Sequence, residues 1–429
     1  MSKKNLILLV IFGTLGLIAM ALMALKEGGP ARNVAARFYA MRGMVKYGKD
    51  DFDGAIADCT RAIQLHPKLA LAYSGRGLAR LAKGDADGAI ADCNRAVELA
   101  PKEAVSYVVR GQAKQKKGNL EGAIADFNLA IQIAPRYADA YINRGDAKTR
   151  QNDPAGAIAD LSRAIELDPK SVRAYGLRAF ARVKANDLER ALADYNRAIE
   201  LNPKNTNAYG IRGAAKAKKG DLDGAIADYS RVIELDPKAP RAYVGRGNAR
   251  SMKGDFAEAV TDLNRALELD KNNSHACYYR GSVYFMEHRW AEAMADFRRV
   301  CELKKREPEY PLLYIWLIRV QLGQRDAASQ ELAAHFETLG GNPAKDWPVK
   351  IANFLLDKIT EDGLMAAAVS TDVIKDHGQH CEAWFFSGMK RLQAGDKTGA
   401  ADCFRKSVAT EANDYTEYHF ARAELKALQ

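Results

Sequence analysis

The sequence predicts an all-α chain, a solenoid of helix-turn-helix repeats preceded by one apolar N-terminal helix. Three observations carry that prediction. The first is a ladder of Arg-Gly pairs on a 34-residue spacing: Arg42-Gly43, Arg76-Gly77, Arg110-Gly111, Arg144-Gly145, Arg212-Gly213, Arg246-Gly247 and Arg280-Gly281, with Arg178-Ala179 on the remaining rung. The second is a proline ladder of the same period, from Pro67 through Pro101, Pro135, Pro169 and Pro203 to Pro237. The third is that each period holds two apolar-periodic segments of helical length, such as Leu71–Lys83 and Asp87–Leu99.

The N-terminal segment, residues 1–30, comes first. Lys3 and Lys4 precede the apolar run Leu6–Leu25, in which Thr14 is the one clearly polar residue, and Lys26-Glu27-Gly28-Gly29-Pro30 closes it. About twenty apolar residues suffice to cross a bilayer as a helix. The same pattern describes a signal peptide with Ala19-Met20-Ala21 at its cleavage site. The expectation is therefore either a transmembrane signal anchor or a cleaved signal peptide. Both put the repeats outside the cytoplasm, in the periplasm or cell envelope, if Lys3 and Lys4 stay inside. Lys26, Arg32 and Arg37 pull against that orientation.

Eight repeats follow across 36–307, at 36–69, 70–103, 104–137, 138–171, 172–205, 206–239, 240–273 and 274–307. Between the two helices of a repeat stands a breaker such as Gly84-Asp85, where the glycine suits a left-handed helix end and the aspartate caps the next helix. Pro101 is expected to fix the entry to the next helix, where a missing N–H costs little. Gly77, Ala89 and Ala96 are small enough to let paired helices approach. One pair cannot bury its apolar face alone, so stacked neighbours must share a core. Glycine at position 8 of a repeat, alanine at 20 and 27 and proline at 32, on a period of 34, resemble the tetratricopeptide repeat (TPR) family. The resemblance implies a right-handed superhelix with a concave and a convex surface.

Position 7 of these repeats carries arginine where tetratricopeptide repeats usually have an apolar residue. A partner is visible in the sequence: Asp58, Asp92, Asp126, Asp160, Asp194, Asp228, Asp262 and Asp296 occupy position 23 throughout. Position 11 is basic as well, through Lys46, Arg80, Lys114, Lys148, Arg182, Lys216 and Arg250, until Tyr284 breaks the run. We expect an Arg–Asp ladder joining the two helices of a repeat, or adjacent repeats. The same position explains Arg144-Gly145-Asp146. This tripeptide lies inside a first helix, and its third letter varies freely along the ladder, so it is not read as an adhesion signal.

Beyond residue 307 the period fades. Glu309–Leu322 and Asp326–Leu339 still read as a pair around Gly323, Gly340-Gly341-Asn342-Pro343 is a break, and Trp347–Ile359 with Gly363–Lys375 reads as another pair. Residues 308–380 are thus divergent helical pairs. Residues 381–429 return to register as a TPR-like repeat with a capping helix, Tyr415–Leu428, over the exposed end. The segments at 314–328, 347–365 and 382–425, beginning YIWLIRVQLGQRDAA, WPVKIANFLLDKITEDGLM and EAWFFSGMKRLQAGD, resemble the C-terminal half of the bacterial new lipoprotein I (NlpI-like) family. That resemblance implies a dimeric envelope adaptor holding cell-wall hydrolases and a processing protease. The family's lipid-bearing cysteine is absent here, since the first cysteine is Cys59.

No catalytic constellation and no cofactor motif is found. His377, His380 and Cys381 form the densest group of metal-ligand types, but the group lacks a second half and is read as an inter-repeat loop. Cys59 and Cys93 share a core-facing position and are expected as buried thiols. The resemblance to tetratricopeptide proteins assigns positions 2, 5, 9, 12 and 13 of each first helix to a peptide-binding groove. Position 13 then reads Lys116, Arg150, Lys184 and Lys218, joined by Arg173 and Arg241 from position 2. Repeats seven and eight turn apolar with Met252, Tyr278, Phe285 and Met286. The expected occupant is an extended or helical peptide of another protein, acidic at its centre with an apolar anchor, which the net charge of +10 suits. Basic residues with built-in carboxylate partners argue against nucleic acid. The function expected is a non-catalytic, protein-binding adaptor at the envelope; the alternative is a self-assembling scaffold.

Overall fold

The computed structural model describes residues 30–303, 309–338 and 347–429. Among them are 23 helices and no strand. The apolar run Leu6–Leu25 and the break at Gly340-Gly341-Asn342-Pro343 lie outside the described residues. Among the described residues, no helix is long and apolar enough to cross a membrane. The chain divides into two compact units, 1–203 and 204–429.

The first unit holds α1 (Pro30–Tyr47), α2 (Phe52–Leu65), α3 (Ala70–Lys83), α4 (Ala86–Leu99), α5 (Ala104–Lys116), α6 (Leu120–Ile133), α7 (Ala138–Arg150), α8 (Pro154–Leu167), α9 (Val172–Lys184) and α10 (Leu188–Leu201). Each odd helix pairs with the even helix after it. The odd helices also pack side by side, α1 on α3 through α7 on α9, and form the inner layer. The second helix of each repeat starts where Asp51, Asp85, Asn119, Asp153 or Asp187 accepts a hydrogen bond from the amide three residues on. The turn before it needs a left-handed residue. Gly84 supplies one at φ 95°, and Asn152 at φ 64° does so with a side chain. Pro101 follows Ala100, the residue that caps α4, and so ends one helix rather than opening the next. Its carbonyl accepts the Tyr107 hydroxyl at 3.1 Å, and this ties the turn to α5.

Core volume is shared between position 8 of the first helix and position 24 of the second. Cys59 and Cys93 are fully buried there, and Phe127 takes the same place in the next repeat. A methyl added at Gly111 would lie 2.5 Å from the Phe127 ring, so glycine is required for that ring to enter. Burial pushes the Cys59 thiol up to about 11 and the Cys93 thiol up to about 12, and both are free.

The second unit continues the pattern with α11 (Thr206–Lys219), α12 (Leu222–Leu235), α13 (Pro240–Lys253), α14 (Phe256–Leu269), α15 (Ser274–Met286) and α16 (Trp290–Leu303). It ends in α17 (Glu309–Gln321), α18 (Arg325–Thr338), α19 (Trp347–Leu355), α20 (Glu361–Ala368), α21 (Val373–Gln393), α22 (Lys397–Ala409) and α23 (Thr416–Ala427). Three expectations change here. Residues 377–381 are not a loop, because α21 runs through them and across the boundary drawn at 380. Asp372 caps that helix at the amides of Ile374 and Lys375, so it begins earlier than the repeat register implies. The last helix does more than cover an end. It packs on α21 and α22 and also reaches back to α15, the first helix of repeat eight. Phe285 and Phe420 stack there at 4.4 Å within one apolar cluster that spans repeat eight and the whole tail.

Candidate functional site

The charged ladder forms in all eight repeats. Each position-7 arginine donates twice to the position-23 aspartate of its own repeat, Nε at 2.7–3.0 Å and Nη2 at 2.5–2.7 Å. The position-11 cation meets the same carboxylate at 2.6–3.0 Å in the first seven repeats. The ladder also joins neighbouring repeats. Arg76 reaches back to Thr60, Arg110 to Asn94, Arg144 to Asn128 and Arg178 to Ser162, at 2.7–3.2 Å. In the second unit Arg246 reaches Ser230 and Arg280 reaches Asn264. Seven of these guanidiniums also lie 4.8–5.8 Å from the ring of the tyrosine three residues earlier. Arg144 and Gly145 serve this architecture inside α7, and Asp146 accepts from Gln115 on the neighbouring first helix at 2.7 Å. The eight aspartates are buried and their charge is internally satisfied, so they offer nothing to a ligand.

Any binding surface must therefore come from residues outside the ladder. In the first unit a hollow of about 390 Å³ opens on the inner layer and gathers Lys116, Arg150 and Arg173 with Gln112, Asn143 and Asp146. Asn143 is 2% exposed and is the hub. It accepts from Gln112 at 3.0 Å and from Arg173 at 2.8 Å and donates to the Asp139 carbonyl at 2.7 Å. Lys116 donates to the Leu81 carbonyl at 3.3 Å, and Arg150 makes a long 3.4 Å contact with Asp146. Lys184 does not join this hollow; its ammonium lies 5.8 Å from the Phe180 ring.

In the second unit Lys218 is exposed near the end of α11. Arg241 lines a hollow of about 490 Å³ beside Val244 and His275. Met252 and Met286 share a larger one, about 680 Å³, walled on one side by α23. Two expected groove residues are not on open surface. Phe285 is 1% exposed beneath Phe420. Tyr278 has its hydroxyl on Thr416 at 3.0 Å and on Tyr314 at 3.4 Å. The C-terminal helix occupies the place beside them, and no periodic signal announces that contact.

Among the described residues, no group of three or more His, Cys, Asp or Glu could hold a metal. His380 contacts Asp376 on its own helix, and Cys381 is buried against Ser407, its thiol pushed up to about 12 by burial.

Family models described as tetratricopeptide repeat match residues 40–104, 138–171 and 240–273, and one described as TPR repeat matches 111–152, 181–220 and 213–254. This chain is a tetratricopeptide repeat protein. Its solved neighbours include MamA, at 30% identity over 38% of this chain and 94% of that one, with a TM-score of 0.36. A second is the APC/C hetero-tetramer Cut9-Hcn1, at 16% identity, 63% and 53% coverage and a TM-score of 0.50, a likeness of fold alone. A third is YrrB, described as a TPR protein with an unusual peptide-binding site, at 23% identity, 43% and 95% coverage and a TM-score of 0.37. No curated protein matches the chain. The matched models lie between residues 40 and 273, and none of them supports the expected likeness of the tail to the new lipoprotein I family.

Two groups in this tetratricopeptide protein escaped the reading by position. Asn143 stands at position 6, where the other repeats carry Met41, Gly75, Val109, Leu177, Ile211, Gly245 and Tyr279. A lone amide among those residues is a signal that could have been used. Arg422 and Lys426 lie on α23, outside any repeat, and only the fold brings them to Met252 and Met286.

Proposed function

We propose that this tetratricopeptide protein is a non-catalytic adaptor that binds acidic segments of other proteins on the inner faces of its repeats. The observation that carries the reading is the hollow at Asn143. Three cations, Lys116, Arg150 and Arg173, meet there against one carboxylate, Asp146, beside amide side chains that suit a peptide backbone. The fold supports the same reading, being one generally used for protein interaction rather than catalysis. From the tail motifs we further propose cell-wall hydrolases or an envelope protease as partners. From the charges around Leu6–Leu25 we propose repeats held outside the cytoplasm.

The test is cross-linked capture from intact cells with the native chain and with Lys116, Arg150, Lys184 and Lys218 all changed to Glu. The expected result is a set of envelope proteins with acidic segments, lost on charge reversal. Recovery of the same proteins with the reversed chain would overturn the basic-groove reading.

A further inference from the structure

The hollow at the ends of the first helices of repeats seven and eight departs from the basic stripe of repeats three to six. Position 13 carries Lys116, Arg150, Lys184 and Lys218 in repeats three to six, but Met252 and Met286 here. Both methionines line the same cavity of about 680 Å³, with Phe256 and Ala423. Its far wall is α23. That helix is fastened by the Phe285–Phe420 stack, by the Tyr278–Thr416 hydrogen bond and by His288 on Glu424 at 3.0 Å. The wall is thus fixed, while the floor is adaptable because methionine has several rotatable bonds and a polarisable sulfur.

The rim decides what fits. Arg422 and Lys426 are exposed on α23, face this cavity, and make no ion pair among the described residues. Lys253, also on the rim, is already held by Asp223 at 2.7 Å. The one carboxylate lining the cavity, Glu287, lies 3.4 Å from Arg289. An apolar floor under two unpaired cations calls for an apolar side chain flanked by carboxylates. A symmetric second copy would set Arg422 and Lys426 against their own kind, in a chain that already carries +10. The volume lies within the range of roughly 300–1,000 Å³ typical of ligand pockets.

We infer that this cavity, between the ends of α13 and α15 and the C-terminal helix, is a second peptide site. It takes an acidic segment of a partner protein through one large apolar side chain. The inference rests on the protein-binding reading above but uses residues separate from the Asn143 hollow.

The test is fluorescence anisotropy of the full chain with a labelled peptide of Asp and Glu around one central Phe. The expected result is saturable binding, weakened about tenfold or more by Arg422→Glu with Lys426→Glu, by Met252→Trp, and by Phe→Ser in the peptide. Lys68→Glu with Lys102→Glu, exposed residues that line neither hollow, should leave it unchanged, and Lys116→Glu with Arg150→Glu should leave the part that depends on Arg422, Lys426 and Met252 in place. An unchanged melting midpoint for the exposed Arg422/Lys426 double variant separates loss of binding from loss of fold. If only the Lys116/Arg150 variant abolishes binding, this site falls while the adaptor reading stands. If the peptide fails to saturate the native chain, this site falls. A doubled mass by light scattering that Arg422→Glu with Lys426→Glu abolishes would make the occupant a second copy and overturn the proposal.

Discussion

The repeats and the tail bury carboxylates in opposite ways. In a repeat, Asp126 is 2% exposed and holds Arg110 and Lys114 together. In the tail, Glu382 and Glu417 are 3% and 2% exposed and accept from neutral donors. Glu382 accepts from Tyr310 at 2.9 Å and from Trp347 Nε1 at 2.5 Å, and Glu417 accepts from the Tyr314 hydroxyl. The difference sets opposite responses to pH. For Asp58, burial pushes the carboxyl up, but hydrogen bonds and charge from Arg42 and Lys46 outweigh it and hold the group below its ordinary 3.8. Its share of stability is present above that value and is lost as pH falls through the lower folded value. For Glu382 and Glu417, burial dominates and raises both above 4.5. Their share is present below 4.5 and is lost as pH rises through the raised folded values. His288, raised by its hydrogen bond to Glu424, acts in the same direction as the tail glutamates. Buried carboxylates are thus a fixed ionic tie in one region and a proton-dependent contact in another.

The largest effect is expected from Asp126→Ala. It strips the carboxylate from two half-buried cations and should cost about 3–5 kcal/mol in chemical denaturation. Glu98→Ala, which removes an exposed pair with Arg95, should change stability by no more than about 1 kcal/mol. Similar effects for the two would mean that the ladder is surface decoration.

Phe420→Ala removes the ring stacked on Phe285 and should weaken docking of α23 by about 3–5 kcal/mol. Hydrogen exchange should then quicken across Thr416–Ala427 while helices of the first unit keep their protection. Uniform quickening would show that the tail is not a separate seat.

Gly111→Ala should cost about 1–3 kcal/mol, because its methyl would meet the Phe127 ring. Gly176→Ala, where nothing lies within 4 Å of the added methyl, should be neutral or stabilising by up to about 1 kcal/mol. Thermal midpoints of the two variants decide it.

The pH contrast is sharpened by Glu382→Gln with Glu417→Gln. The native chain should lose tail protection as pH rises above 4.5, and the double variant should lose less of it. Parallel pH profiles would remove the proton-dependent contact.

The repeats were legible because their contacts are local. Arg110 and Asp126 are 16 residues apart, and the same pair of positions recurs every 34, so a chemical partnership repeated down the chain is visible before any fold is known. Helix ends were legible for the same reason, since Asp85 needs only the amide of Gly88 to cap α4. Tyr314 and Glu417 stand 103 residues apart, and Tyr278 and Thr416 stand 138 apart, with no periodicity to relate them. Which aromatic residues of repeat eight stay open and which are covered depends on where α23 comes to rest. Burial of an apolar face is non-directional and leaves the choice of partner to the packed whole. The repeat, its caps and its ionic ladder therefore follow from local, periodic chemistry along the chain. Where α23 packs decides the rest: it buries Phe285, half-buries Tyr278, and leaves Met252 and Met286 lining a cavity rimmed by Arg422 and Lys426.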